Sequence, residues 1–176
     1  MKMLIPACVA LAMLTGCKDD VAKLDLPDPL ELTADAAGHY CQMIILEHEG
    51  PKAQAHFMGA LQPLWFSQAR DGLAYLLSPE EEAEVVVLYM NDMGKAISWA
   101  KPGAGNWIKA REAFYVIGSD AIGGMGAPEM VPFGLEEQAT EFAARHGGKV
   151  MRFDEIPIEA VLAPVEFDTS ALELSQ

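Results

Sequence analysis

The chain opens on an apolar stretch, where Met1-Lys2-Met3 is followed by Leu4 to Leu14 without a charge. Downstream, apolar positions come in short runs broken by Gly, Pro, Asn and Asp, the pattern of a small mixed domain. Tyr40 to Leu46 predicts a strand, Glu49-Gly50-Pro51-Lys52 a turn, and Ala53 to Met58 a second strand. Leu61 to Arg70 predicts a short helix closed by Asp71-Gly72. Ser78-Pro79-Glu80-Glu81 has the form of a helix start, with a Ser cap, Pro at the first position and early acids. Val85 to Met90 is a β-branched run that predicts a buried strand, and Asn91-Asp92-Met93-Gly94 a turn.

A second half begins near Trp107. Ala113 to Ile117 predicts a strand, and Gly118 to Pro128 is a Gly-rich loop. Leu135 to His146 is the clearest helix, because Leu135, Ala139, Phe142 and Ala143 fall on one face. Glu136 and Glu137 in its first turn and Arg145 and His146 in its last complement the helix dipole. Gly147-Gly148 ends it, and Lys149 to Phe153 predicts a strand. The order of elements in the two halves is alike. Tyr40 to Leu61 and Phe114 to Leu135 are both steps of 21 residues. The expected fold is α+β, built from two packed ββαβ-like units, neither long enough for a comfortable core alone.

The first segment changes the picture of the mature chain. Leu4 to Leu14 is too short to span a bilayer, which takes about 20 residues as a helix. A basic start and a short apolar core define a secretory signal. It ends in Leu14-Thr15-Gly16-Cys17, which resembles the bacterial lipobox, whose Cys becomes the lipidated first residue. Residues 1–16 are thus expected to be a signal peptide and residues 17–38 a lipidated N-terminus and linker. Residues 39–164 are expected to form the working domain and residues 165–176 a flexible acidic tail. The mature protein is placed on the periplasmic side of the envelope, tethered to a membrane by Cys17.

Lys plus Arg number 12 against 26 Asp plus Glu, a net charge of −14. That excludes nucleic acid as a natural partner, since phosphate contacts need clustered basic side chains. Of three cysteines, Cys8 leaves with the signal and Cys17 carries lipid. Cys41 remains as a single thiol in an oxidising compartment, where reactivity decides whether a Cys is kept.

His39-Tyr40-Cys41-Gln42-Met43 therefore carries the most chemistry. On an extended strand, Cys41 and Met43 face the same way and present a thiol beside a thioether. Soft sulfur ligands select soft cations, above all Cu(I). The same two residues would also suit a buried strand in the core. Met125, in Gly123-Gly124-Met125-Gly126-Ala127-Pro128, has few neighbours to bury against, so it tucks into another element or presents its sulfur. Met58, Met90, Met93, Met130 and Met151 are scattered, mostly as core filler. His39 and His48 flank the Cys-x-Met and are either ligands or structural residues. Two His with zinc spacing, a blue-copper cluster, a G-x-S-x-G elbow and a C-x-x-C pair are all absent from the sequence. An enzyme using Cys41 as nucleophile and a structural lipoprotein with Cys41 in its core stand as alternatives.

Taken together, these features resemble the nitrous oxide reductase accessory lipoprotein family, NosL. The likeness rests on the lipobox, on Cys41-Gln42-Met43, and on the stretch from Asn106-Trp107-Ile108 to Val116-Ile117-Gly118-Ser119. It extends through Gly124-Met125-Gly126 and Val131-Pro132-Phe133. One departure is Gly123-Gly124-Met125, where Gly-Pro-Met is expected in many relatives; a second Gly is expected to loosen the loop. The resemblance implies a tethered Cu(I) chaperone, not an enzyme, with Cys41, Met43 and Met125 as ligands. It implies as partners the nitrous oxide reductase apoprotein and a membrane ABC-type transporter of the same maturation system. It also implies a fold similar to part of organomercurial lyase.

Overall fold

The computed structural model describes residues 25–79 and 84–165. The lipobox, Glu80-Glu81 of the expected helix start, and the acidic tail beyond residue 165 lie outside the described residues.

Two antiparallel sheets form the frame. The first contains β1 (Ala53–Phe57), β2 (Leu64–Phe66), β3 (Val85–Asn91) and β4 (Trp107–Lys109), in the order β2-β1-β3-β4. Between β2 and β3 lies helix α1 (Ala69–Leu77). The second sheet contains β5 (Phe114–Ile117), β6 (Val131–Phe133) and β7 (Lys149–Arg152), in the order β6-β5-β7, with α2 (Glu136–His146) between β6 and β7. A short α3 (Ile158–Leu162) follows. The fold is α+β, and ββαβ occurs twice: β1-β2-α1-β3 and β5-β6-α2-β7. In each unit the first strand pairs with both of the others.

The first unit is displaced by one element from the sequence expectation. Tyr40 to Leu46 is not a strand. Residues 38–41 form a turn, and Ile45–Glu47 a single 3-10 turn. Ala53–Phe57 is therefore the unit's first strand. The helix expected at Leu61 to Arg70 is also absent there, because Leu64–Phe66 pairs with Ala53 to Ala55 as β2 and the helix starts only at Ala69. Ser78 is the C-cap of α1. Trp107–Lys109 joins the first sheet through β3, so the second unit begins after it.

The two units share one core. Ala53, Phe66, Leu73, Leu88 and Met90 of the first pack with Tyr115, Met130, Phe153, Ile156 and Val161 of the second half. Strand β5 is apolar throughout because it is covered on both faces. Tyr115 and Ile117 point into the shared core, while Phe114 and Val116 meet Phe142 and Ala143 of α2. Tyr115 is wholly buried, and its hydroxyl donates to the Ala110 carbonyl at 2.7 Å, as a buried phenol must find a partner. Met90, Met130 and Met151 fill this core and Met93 the smaller cluster, whereas Met58 is exposed.

The segment expected as a linker is docked from Pro27 onward. Gln54 lies on the outer face of β1, donates to the Leu30 carbonyl at 2.9 Å and accepts the Leu30 amide at 2.8 Å. His56 Nε2 lies 2.7 Å from the same Gln54 oxygen, and the Tyr89 hydroxyl donates to the Pro27 carbonyl. A central strand thus keeps two polar residues facing away from the core, because a strap of chain covers them. Replacing Gln54 with Ala leaves the Leu30 groups and His56 without their partner. The expected cost is about 1–3 kcal/mol in denaturant unfolding; a change within ±0.5 kcal/mol would show that the strap adds nothing to stability.

Candidate metal centre

Cys41 lies in a tight loop. The Gly38 amide donates to the Met43 carbonyl at 3.0 Å, and the Gln42 amide to the Gly38 carbonyl at 2.8 Å. Gln42 takes the left-handed conformation, φ 57°, which its side chain offsets by donating to the His39 carbonyl at 2.6 Å. The expected same-face pairing of Cys41 and Met43 on a strand does not occur, since this backbone is a turn. The loop instead exposes Met43 at its rim and leaves Cys41 half-buried. Cys41 belongs to neither core cluster, which removes the reading of Cys41 as a core residue. It is the free cysteine of the described residues.

The Cys41 sulfur lies 3.1 Å from the Ser67 hydroxyl. Once the thiol is ionised, the hydroxyl is the only possible donor of the two. Gly38 makes this contact possible: a Cβ there would fall 2.6 Å from the sulfur and 2.7 Å from the hydroxyl.

Ser67-Gln68 is also where the Met125 loop arrives. The Met125 amide donates to Gln68 Oε1 at 3.2 Å. One residue earlier, the Gly124 carbonyl is 2.9 Å from His48 Nδ1. A carbonyl only accepts, so Nδ1 of His48 carries a proton, and in the neutral ring the lone pair is then on Nε2. That Nε2 is buried without a hydrogen-bond partner. A Cβ at Gly124 would sit 2.7 Å from His48 Cβ and 2.8 Å from the Glu49 carbonyl oxygen, so its bareness allows the loop to dock closely. The Cys41 loop and the Met125 loop, from different units, thus meet one dipeptide at the start of α1. Met43 is on the Cys41 loop, with its side chain exposed.

His39 packs edge-on against Phe66 and Tyr75, with ring centroids 5.9 and 5.4 Å away. His146 pairs with Asp120 at 2.9 Å at the end of α2. An open cleft of about 1010 Å³ passes behind Gly123 and Gly124, lined also by His48, Glu49 and Trp99. Cys41, Met43 and Met125 do not line it. Among the described residues, no cluster of three or more His, Cys, Asp and Glu could hold a metal ion. Sulfur donors are what this junction offers.

Sequence reasoning did not pick out Ser67, Gln68, Lys52 or Glu129. Lys52 is buried, and its Nζ donates to the Ser67 carbonyl at 3.0 Å and the Glu49 carbonyl at 2.7 Å. Burial lowers its pKa to about 8, against the opposing pull of the Glu129 and Glu49 charges. Glu129 is fully enclosed and accepts the amides of Ala69, Arg70 and Met130 at 3.2, 2.9 and 2.9 Å. Its carboxyl therefore caps α1 from the other unit, since Gln68 at the N-cap makes no capping bond. The only signal in the sequence was a Glu among apolar residues, Pro128-Glu129-Met130-Val131.

Burial pushes the Glu129 carboxyl up to about 7, although its three amide donors and the α1 dipole favour the charge. A raised folded-state pKa contributes stability that is complete below the unfolded value of 4.5 and is lost as pH rises through about 7. The stability of wild type relative to Glu129→Gln is therefore expected to fall between pH 5 and pH 8, read from paired denaturant melts. A difference that stays constant across that range would mean the carboxylate is already ionised in the folded protein at pH 5.

The NosL family model matches residues 29–161 of the chain. The copper-binding lipoprotein NosL of Achromobacter cycloclastes is 51% identical over 158 residues, covering 89% of this chain and 81% of that protein. Its namesake from Stutzerimonas stutzeri is 36% identical over 143 residues, covering 81% and 73%. The crystal structure of the copper chaperone NosL from Shewanella denitrificans superposes with a TM-score of 0.68 at 34% identity. It covers 73% of this chain and 95% of that one. This two-unit α+β chain belongs to the NosL family.

Proposed function

We propose that this protein is a lipid-anchored copper chaperone that carries Cu(I) on Cys41, Met43 and Met125. The observation that carries the reading is the convergence of the Cys41 and Met125 loops on Ser67-Gln68. Copper as the cargo is supported by relatives named copper-binding lipoprotein and copper chaperone. The monovalent state follows from the donors: one thiolate and neutral thioethers suit a soft cation of low charge. His48, with its free Nε2 beside the Met125 loop, is the one of the two flanking histidines placed to add a nitrogen donor. A carrier needs a site that forms readily and releases readily, and a half-buried thiol with a thioether at its exposed rim meets that need.

The proposed recipient is the apoprotein of nitrous oxide reductase, working with a membrane ABC-type transporter of the same maturation system. The anchor is Cys17 on the periplasmic side. Among the described residues no helix is long and apolar enough to cross a membrane.

Anaerobic Cu(I) titration against a competing chelator tests the ligand set. Cys41→Ala should remove most of the affinity, because the thiolate is the only anionic soft donor. Met43→Ala and Met125→Ala should each cost on the order of tenfold, about 1.4 kcal/mol. Unchanged affinity in Cys41→Ala would falsify the site. A separate measurement addresses the tether. Cys17→Ala protein should lose its acyl groups, and be released or trapped with its signal uncut, while the domain still binds copper; acylation persisting in that variant would refute Cys17 as the lipidated residue.

A further inference from the structure

The site needs two loops from different units to hold still relative to each other, and one side chain touches the part of the second loop that matters most. Gln68 is a polar residue that is nearly wholly buried, at 3% exposed. Burying an amide is unfavourable unless its groups are paired. Both of its ends are. Nε2 donates to Asp71 Oδ1 at 2.7 Å, and Oε1 accepts the Met125 amide at 3.2 Å. The two partners fix the orientation of the amide, since a carboxylate cannot donate and a backbone N–H cannot accept. Gln68 is therefore held from one side by its own helix and grips the Met125 backbone on the other.

We propose that Gln68 is the positioning residue for Met125, fixing the backbone that carries this thioether beside the Cys41 loop held by the adjacent Ser67. The proposal rests on the ligand reading above. Its physical content is that consecutive residues of one backbone set the separation of the two sulfur arms. The Ser67 hydroxyl meets the Cys41 sulfur, and the next side chain meets the Met125 amide. A site assembled this way needs no residue of the second unit to touch the Cys41 loop directly.

Two measurements test it. Amide exchange in the metal-free protein reads the clamp alone. The Met125 N–H should be protected in the wild type and should exchange faster in Gln68→Leu, which keeps the bulk and removes the acceptor. A wild-type Met125 amide that exchanges as fast as an unstructured peptide overturns the proposal without any variant, even if Gln68→Leu fails to fold. Cu(I) competition titrations then read the consequence. Gln68→Leu should weaken binding by about the same factor as Met125→Ala, on the order of tenfold. It should add nothing in a Met125→Ala background yet keep its full factor in a Met43→Ala background. Equal additivity in both backgrounds would mean a general structural role and would overturn the assignment. Protected and then released amides together with unchanged copper binding in Met125→Ala would uphold the clamp and sink the ligand reading instead.

Discussion

A buried carboxylate joins the halves of this protein. Helix α1 begins without a capping side chain of its own, and Glu129 from the second unit supplies the acceptor for its first two amides. The carboxyl is enclosed, so its desolvation is costly and pushes its pKa up to about 7. What holds it there is the set of amide donors at a helix start, the location where backbone N–H groups lack partners of their own. The bond spans 60 residues of sequence. It ties the entry to β6 to the exit from β2, and the Met125 loop directly precedes that entry.

From this tie the geometry of the candidate centre follows. With Glu129 on Ala69 and Arg70, the Met125 loop must pass Gln68 and Ser67, and the bare Gly124 lets it approach His48 and Glu49 closely. The shared core acts in the same sense. Tyr115 from β5 is buried against the first unit and hydrogen-bonds to Ala110 just outside β4, so the sheets cannot slide independently. The candidate site, split between two units, is thus fixed by packing and by hydrogen bonds that need no metal.

The sequence made some of this legible and hid the rest for physical reasons. Helix α2 was readable because its signals are local: acids in the first turn, bases in the last, an apolar face and a Gly-Gly stop. Strands β3 and β5 were readable as short apolar runs, and β7 followed the Gly-Gly stop. The first unit was misplaced because two runs misled. Tyr40 to Leu46 looks like a strand, but the left-handed Gln42 turns the chain, only Ile45 is deeply buried, and Tyr40, Met43 and Leu46 remain exposed. Leu61 to Arg70 has helical composition, yet Leu64 to Phe66 is recruited by the edge of β1. Tertiary pairing overrode local preference in both. Cys41 and Met125 were legible by residue type. Gln68 and Glu129 were not, since their partners lie about 60 residues away and are chosen by packing.

Those same misleading runs bear on how the centre works. An apolar, sulfur-bearing stretch placed in a strand would be rigid and closed; placed in a loop, it leaves Cys41 half-buried and Met43 at the surface. In the proposed carrier, Met43 at the rim is the donor that a partner protein can replace without opening the core, while the Cys41 sulfur and the Met125 backbone keep their bonds to Ser67 and Gln68. The asymmetry within that proposal follows from the distribution of hydrogen bonds. Cys41 and the Met125 backbone have partners on Ser67 and Gln68, and Met43 projects beyond them. Stable retention and ready transfer make opposite demands on a metal site, and the proposed ligand set divides them between different residues of one short loop and its partner.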